Sequence, residues 1–331
     1  MTTASLVVRS LRWRLLLLAG CACLLLAGCA TSNPAAAEPH QGPTVIPFDP
    51  AAPSVLPPLE EVSVVARVNE VPITSVAFGR ELLRTAKLLK MQQGVDWYSA
   101  EGVAKIPELR ESTLEQVINQ ELLRQLAEAE GITVSEARLQ AVAGSAAQEL
   151  MKNLKYNAWD EFLKDFQTSS EEFLESIRLQ LLYAELLRRH GGPGEAEQVR
   201  IRHILVFTEE EGQEVLRRLA AGEPFETVAQ ELSKEPGTRR LGGLIEWFPR
   251  GTLPAALEEV AFALPVGGTS GLFQTDSGYH VVQVLGREVR PVRSELLETY
   301  QKRNFEAWFA EQKAQAHIEQ YVTFVTPTPT P

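Results

Sequence analysis

Few side chains in this chain of 331 residues have the type and spacing that a reaction needs. Its five histidines are scattered and lack the spacing of a metal site, so we predict no metal. All three cysteines, Cys21, Cys23 and Cys29, lie near the N-terminus, which excludes disulfide frameworks and cysteine nucleophiles from the rest. Ser277 stands close to His280, but no nucleophile-elbow motif surrounds the serine, so a serine–histidine triad is not favoured. The sequence also predicts no cofactor.

The first residues have the pattern of an export signal. Three arginines precede a short apolar run, Leu15 to Ala27, which is too short to span a bilayer stably. The run ends in Leu26-Ala27-Gly28-Cys29, which resembles the lipobox of bacterial lipoproteins, where the cysteine sulfur carries diacylglycerol. We therefore expect residues 1–28 to be a lipoprotein signal peptide and Cys29 to anchor an extracytoplasmic protein to the outer face of the cell membrane. An ordinary signal peptide and an uncleaved anchor are the alternatives.

Composition separates two tails from the folded part of the chain. Residues 29–61 are rich in Ala, Pro, Ser and Thr, which bury too little apolar surface to offset the entropy of ordering, so we predict a disordered tether. Residues 326–331 repeat Thr-Pro and predict a similar tail. The remainder is long enough for two modules. The formal net charge of −11 argues against nucleic-acid binding.

Residues 62–190 predict a hairpin followed by helices. The hairpin spans Val64 to Thr74, and Ser75 is predicted to cap a helix that runs toward Gln93. Capping signals and apolar periodicity predict the later helices. These helices are Pro107–Glu130, Ser135–Leu154 and one that begins at the capping box Ser169-x-x-Glu172 and ends before Gly191-Gly-Pro-Gly194.

Four motifs follow one another in residues 198–290. They are Val199-Arg-Ile-Arg-His203-Ile-Leu-Val206, Gly242-Gly-Leu-Ile-Glu-Trp-Phe-Pro-Arg-Gly251, Ala261-Phe-Ala-Leu264 and Thr275-Asp-Ser-Gly-Tyr-His280-Val-Val. Their order and spacing resemble parvulin-type peptidyl-prolyl cis/trans isomerases. The resemblance implies a small antiparallel sheet with flanking helices. It also implies catalysed rotation about the X-Pro amide, whose barrier is about 18–20 kcal/mol.

The resemblance also implies the residues of an active site. His203 and His280 correspond to paired histidines beneath the pocket, whose nitrogens can donate and accept in a polarised chain. Thr275 and Ser277 correspond to hydroxyls that extend this network. A pair that only holds the strands together is the alternative for the histidines. Glu235 aligns with a family position of Cys or Asp, and it keeps the negative charge of Asp while adding one methylene.

An apolar cup for the proline ring is the second implied part of the site. Leu253, Leu257 and Phe262 follow Arg250-Gly251 at the family's intervals, and Ile245 in the preceding motif is assigned to the same cup. The family often has Met and Phe at the first two positions, so two leucines imply a smaller and less aromatic cup. Ordinary core packing is the alternative for Leu257 and Phe262.

Two more departures from the parvulin pattern bear on activity and specificity. Glu246 stands where the family has a glycine, which is costly if that glycine had a positive φ. Glu209, Glu210 and Glu211 follow the first strand, where phospho-directed parvulins carry a basic loop. Because carboxylates repel a phosphate, we expect no preference for phosphorylated substrates.

The helical module resembles the N-terminal region of SurA/PrsA-type extracytoplasmic foldases. The most similar pieces are Val65-Ala-Arg-Val-Asn-Glu-Val-Pro-Ile-Thr and Glu121-Leu-Leu with Ala129-Glu-Gly-Ile-Thr-Val-Ser. A generic helical domain is the alternative. The resemblance implies an α+β protein in which the parvulin domain is inserted into a mostly helical chaperone module. Segment 291–325, predicted as one helix from Val292 to Thr323, then packs on the N-terminal domain, with Trp308 either in the core or gripping clients.

Together these resemblances imply a lipid-anchored foldase. Its partners would be unfolded or partly folded secreted polypeptides with X-Pro bonds, and neither nucleic acid nor a small-molecule cofactor would be involved. The alternative is a holdase chaperone whose parvulin domain is weakly active or only binds peptides.

Overall fold

The structure, a computed structural model, describes residues 44–45, 63–166 and 168–323. The predicted signal peptide, the lipidated Cys29, nearly all of the tether and the tail 326–331 lie outside the described residues. Two compact units divide the chain: unit 1 takes its described residues from Met1–Glu185 and Gln312–Pro331, and unit 2 is Leu186–Glu311. Unit 2 is therefore inserted between two parts of unit 1 in the sequence. No helix within the described ranges has the length and apolar character to cross a membrane.

Strands and helices follow one another along the described chain. The strands are β1 (Thr44–Val45), β2 (Val64–Val68), β3 (Val71–Thr74), β4 (Glu195–Val206), β5 (Leu244–Pro249), β6 (Phe273–Thr275), β7 (Gly278–Pro291), β8 (Ile318–Gln320) and β9 (Val322–Thr323). The helices are α1 (Ser75–Gln93), α2 (Ala100–Ala104), α3 (Ile106–Ala129), α4 (Glu136–Leu154), α5 (Trp159–Asp165), α6 (Ser170–His190), α7 (Glu209–Ala220), α8 (Phe225–Leu232), α9 (Ala255–Ala263) and α10 (Ser294–Gln315). A 3-10 turn, Arg239–Leu241, precedes β5.

The hairpin at the start of unit 1 is confirmed, because β2 and β3 pair antiparallel. The predicted cap of the next helix is wrong by one residue. Thr74, with an extended backbone, accepts the N–H of Ala77, whereas Ser75 is already the first helical residue. A capping side chain needs a non-helical backbone to reach back to the first turn, and only Thr74 has one. The Ser75 hydroxyl instead accepts the N–H of Ser63.

The later helix signals of unit 1 are largely confirmed. Pro107 lies in the first turn of α3, and α4 begins directly after Ser135. The capping box is formed: the Ser169 hydroxyl accepts the Glu172 N–H, and the Glu172 carboxylate accepts the Ser169 N–H. The short helices α2 and α5 were not predicted, because five and seven residues carry too little apolar periodicity to be read.

The predicted helix over Val292–Thr323 is wrong in its last part. The helix α10 ends at Gln315, and two short strands follow it. β8 pairs antiparallel with β2, and β9 pairs parallel with β1. The neighbouring strand β2 explains why β8 is a strand. The edge of β2 offers unpaired backbone groups, and a helix at this position would leave them unsatisfied.

Trp308 on α10 belongs to a ring cluster inside unit 2. It is half-buried, and its ring stacks on His190 with centroids 3.7 Å apart. Phe305 contacts the same indole at 5.4 Å. The packing of segment 291–325 on the N-terminal domain stays a prediction, as do the domain boundaries 62–190 and 198–290; the division between the units falls within α6 and α10.

Unit 2 is built around an antiparallel sheet in the order β5-β4-β7-β6. One face of the long central pair carries Ile201, Val282 and Val284, which pack against α9. The other face carries Ile204, Val206 and Val281, which pack against α7 and α8. Alternation along a strand puts neighbouring side chains on opposite faces, so each face acquires its own apolar core. The predicted α+β class, with a small sheet and flanking helices in a mostly helical module, is confirmed.

Candidate active site

His203 and His280 lie on one face of the central strand pair. In the register of β4 and β7, His203 is opposite Val282 and His280 is opposite Leu205. The two histidines are therefore diagonal neighbours on the face that also carries Val282 and α9. Their rings are nearly parallel, at 15°, with centroids 6.0 Å apart. The sequence-predicted pair is thus brought together.

Each imidazole has its own hydroxyl partner. Nε2 of His203 lies 2.8 Å from Oγ1 of Thr238, and Nε2 of His280 lies 2.8 Å from Oγ1 of Thr275. Both Nδ1 atoms are buried without a hydrogen-bond partner among the described residues. The network is therefore two separate histidine–threonine pairs with stacked rings, rather than one chain that runs from ring to ring. Ser277 is exposed, and its backbone N–H, not its hydroxyl, bonds to Thr275.

Burial keeps both imidazoles neutral. Desolvation, with a smaller contribution from the charge of His280, lowers the pKa of His203 to about 4, and the Glu235 carboxylate opposes the change. Burial likewise lowers the pKa of His280, again opposed by Glu235. Neutral imidazoles at physiological pH can donate and accept hydrogen bonds but place no positive charge in the site.

Glu235 reaches this cluster from the loop that follows α8. The loop is tied to β4, because the Lys234 N–H bonds to the Leu205 carbonyl. The Glu235 carboxylate accepts the Gly237 N–H at 3.1 Å, and its charge acts on both imidazoles. The residue is half-buried, and the orientation of its carboxylate toward a substrate stays a prediction.

The four predicted cup residues belong to one apolar cluster. Leu257 and Phe262 on α9 are each only 4% exposed and form its floor, whereas Ile245 and Leu253 are half-buried at its edge. The Arg250 guanidinium covers the Phe262 ring at 4.1 Å. A bound apolar ring would therefore touch mainly Ile245 and Leu253. The binding role of all four residues stays a prediction.

Gly243, the second of two glycines before β5, contacts the backbone of His203. The His203 N–H bonds to the Gly243 carbonyl at 2.8 Å, and Gly243 has a φ of 77°. A Cβ at Gly243 would lie 2.2 Å from the His203 carbonyl oxygen, so only glycine fits. Glu246 sits in β5 without positive φ and bonds to Arg200 at 3.1 Å. The glutamate at this position therefore imposes no backbone strain.

Two residues that contact the histidines were not anticipated from the sequence. Thr238 is the hydroxyl partner of His203, and its only signal was a threonine in the loop between Glu235 and the glycines. Phe273 stacks on His280 with ring centroids 5.5 Å apart, and it packs against the same apolar cluster as the cup. The arrangement brings an apolar cluster, through Phe273, next to neutral hydrogen-bonding groups on which the charge of one carboxylate acts. Its contacts pair His280 with Thr275 rather than with Ser277, so they do not support a serine–histidine triad.

The low pKa of His203 predicts a specific loss of stability in acid. The folded state binds the proton only near pH 4, whereas an unfolded histidine binds it near pH 6.5. The unfolded state is therefore favoured as the pH falls from about 6.5 to about 4, and the free energy of unfolding should drop by about 3 kcal/mol through this group. Denaturant titrations of the wild type and His203→Gln across this range measure it. The free energy of unfolding of the variant should fall less steeply as the pH is lowered, and the contribution of His280 to this fall should remain.

His317→Gln is the matched control for this measurement. The side chain of His317 is 66% exposed, so this variant should keep the acid slope of the wild type. Equal slopes in the wild type and His203→Gln would contradict the assignment of a buried neutral imidazole to His203.

Comparison with known proteins identifies two domains in the chain. Residues 205–286 match the model of the PPIC-type PPIASE domain, a rotamase, and residues 57–187 match that of the SurA-like N-terminal domain. The two matches together cover well over half of the chain, and the SurA-like match begins at residue 57, within the segment 29–61 that was predicted to be a tether.

Two curated relatives and one solved structure are similar to the chain. The chain is 29% identical to foldase protein PrsA of Caldanaerobacter subterraneus subsp. tengcongensis over 199 residues, 55% of this chain and 59% of that protein. It is 25% identical to chaperone SurA of Nitrosospira multiformis over 294 residues, 78% of this chain and 64% of that protein. A crystal structure of the peptidylprolyl isomerase PrsA from Bacillus anthracis covers 60% of this chain and 89% of that chain, with 21% identity and a TM-score of 0.41. The chain thus spans less than two thirds of the length of both curated relatives. It joins a SurA-like N-terminal domain to a PPIC-type PPIase domain, and the curated relatives that it resembles are PrsA foldases and SurA chaperones.

Proposed function

We propose that this protein is a peptidyl-prolyl cis/trans isomerase that assists the folding of secreted polypeptides at X-Pro bonds. Three observations support the proposal: the two neutral imidazoles are paired, the Glu235 charge acts on both of them, and an apolar cluster lies on the same face of the sheet as the rings. Glu235, His280 and the apolar residues of β5 and α9 lie within the segment that matches the PPIC-type domain, and His203 lies two residues before it.

The proposed mechanism forms no covalent bond. Rotation about the X-Pro amide must break its resonance, and a site accelerates rotation by binding the twisted amide better than either planar form. Ile245 and Leu253 would hold the pyrrolidine ring over the floor of Leu257 and Phe262. The Glu235 charge would face the substrate carbonyl and disfavour its polarised planar form. His203 and His280 orient Thr238 and Thr275 beneath the substrate.

Acceleration of a proline-limited refolding reaction tests this function. The wild type should raise the slow refolding rate of a small protein with a native cis-proline, since that step is isomerisation. Glu235→Ala and His203→Ala should each lower kcat/KM by at least about tenfold, because each removes a polar group from the site. Glu259→Ala, which alters an exposed carboxylate on α9, should match the wild type. A wild type that leaves the slow phase unchanged would contradict the proposal.

Chaperone activity without isomerisation is the second candidate. The match to the SurA-like N-terminal domain favours it, because that domain lies outside the catalytic module. Suppression of aggregation measured on the same variants separates the two functions. Variants that lose refolding acceleration but still suppress aggregation indicate one protein with both activities.

We also propose that the isomerase has no preference for phosphorylated substrates. The Glu211 carboxylate accepts the N–H groups of Phe207 and Thr208 and pairs with Lys234, while Glu209 and Glu210 are exposed beside it. The first turn of α7 therefore carries a net negative charge and would repel a phosphoserine before proline. We expect kcat/KM for a pSer-Pro peptide to be no higher than for Ser-Pro, with Glu-Pro as the charge control. A severalfold preference for pSer-Pro would show that another basic group binds the phosphate.

The place of action proposed is the outer face of the cell membrane, with the protein held by a lipid on Cys29 after removal of residues 1–28. The lipobox-like sequence and the proline-rich tether support this proposal. In bacteria that express the full chain, the protein should sediment with membranes, and Cys29→Ser should release it or block its maturation. Mass spectrometry of the mature N-terminal peptide should detect the diacylglyceryl group. An unmodified N-terminus on a fully soluble wild type would contradict the anchor.

A further inference from the structure

The loop between β5 and α9 is organised around one carboxylate. Glu258 Oε2 accepts the N–H of Gly251, and Glu258 Oε1 accepts the N–H groups of Thr252 and Leu253, each at 2.8 Å. Three consecutive backbone N–H groups thus converge on a single side chain. The Thr252 hydroxyl closes the same turn by donating to the Pro249 carbonyl at 2.8 Å.

Glu258 is buried, and the N–H groups of the loop stabilise its negative charge. The residue is only 7% exposed, and no ion pair among the described residues involves it. A buried carboxylate is costly unless it is fully hydrogen-bonded, so the three charge-assisted bonds are what make its burial possible. Adjacent N–H groups that point into one concavity form an anion site, and here the protein occupies that site itself.

These bonds fix the relative position of two predicted cup residues. Glu258 is the neighbour of Leu257 on α9, whereas its carboxylate holds the backbone of Leu253 in the preceding loop. Gly251 supports the turn with a φ of 84°, which a side chain would make strained. The other end of α9 is held independently, because the Arg287 guanidinium donates to the carbonyls of Phe262 and Leu264 at 2.7 and 2.8 Å.

We propose that Glu258 is a positioning residue for substrate binding: it sets the distance between Leu253 and Leu257 and thereby the width of the proline cup. It acts through the loop backbone and does not touch the substrate. The inference rests on the proposed isomerase function, because it concerns the cup of that site.

A double-mutant cycle on the full chain tests the inference. The variants are Glu258→Gln, Leu253→Ala and the two combined, with Glu259→Gln as the control for an exposed carboxylate on the same helix. An amide has one accepting oxygen and presents an NH2 group to the remaining donors, so Glu258→Gln should open the loop. We expect KM for an X-Pro peptide to rise about tenfold, with a smaller change in kcat and no change for Glu259→Gln. In the Leu253→Ala background, Glu258→Gln should change KM less than twofold, since coupled residues are not additive.

Other outcomes would overturn the inference. An unchanged KM in Glu258→Gln, or an equal increase in both Leu253 backgrounds, would show that Glu258 does not act through Leu253. Circular dichroism and thermal unfolding establish that each variant is folded at the assay temperature. If Glu258→Gln is unfolded, Glu258→Asp, which keeps the charge on a shorter side chain, replaces it in the same cycle.

Failure of the isomerase function itself has a different signature. A wild type without isomerase activity would contradict the proposed function and leave the cup to be tested as a binding site. The same cycle is then read from the dissociation constant of a proline peptide, measured by NMR titration. If Glu258→Gln weakens binding in the wild type but has no effect in the Leu253→Ala background, the result still supports the positioning role. An affinity equal to that of the wild type contradicts it.

Discussion

The register between β4 and β7 is the constraint on which the candidate site depends. Pairing His203 with Val282 and Leu205 with His280 puts both imidazoles on the same face as the core beneath α9. Because side chains alternate between faces, a slip of one residue in either strand would send one imidazole into the opposite core. The long ladder between the two strands, which runs from Glu195 to Val206, makes such a slip expensive.

This placement explains why the histidines are buried and neutral. They are buried on the face of the sheet that packs against α9, where charge is disfavoured, and each has a threonine hydroxyl 2.8 Å from its Nε2 atom. Among the residues that the structure describes, Glu235 is the carboxylate whose charge acts on the pKa of both rings, and it comes from a loop tied to β4 at Leu205. The sheet thus supplies neutral groups and a neighbouring loop supplies the charge.

The departures from the parvulin pattern are accommodated by their surroundings. Glu246 lies in β5 with an ordinary strand backbone, and its carboxylate bonds to Arg200 on the neighbouring strand. The restriction on backbone conformation falls instead on Gly243, where the His203 carbonyl leaves no room for a Cβ. The two leucines of the cup are supported by Glu258 and by Arg287, so the helix that carries Leu257 is held at both ends.

Local patterns in the sequence determined much of this protein. The hairpin, the capping box at Ser169 and the four motifs of residues 198–290 could be read from short stretches, because caps, turns and strand alternation depend on near neighbours. The pairing of His203 with His280 was implied only by the resemblance to parvulins, since the two residues are far apart in the chain. Contacts between distant segments could not be read in this way. After Gln315, β8 forms because β2 offers an edge, and β9 pairs with β1. Thr238 is a partner of His203 through loop geometry, and Leu257 and Phe262 are buried because they pack against the sheet. Tertiary structure decided these features, since each depends on which surface a residue meets and not on the residues beside it in the chain.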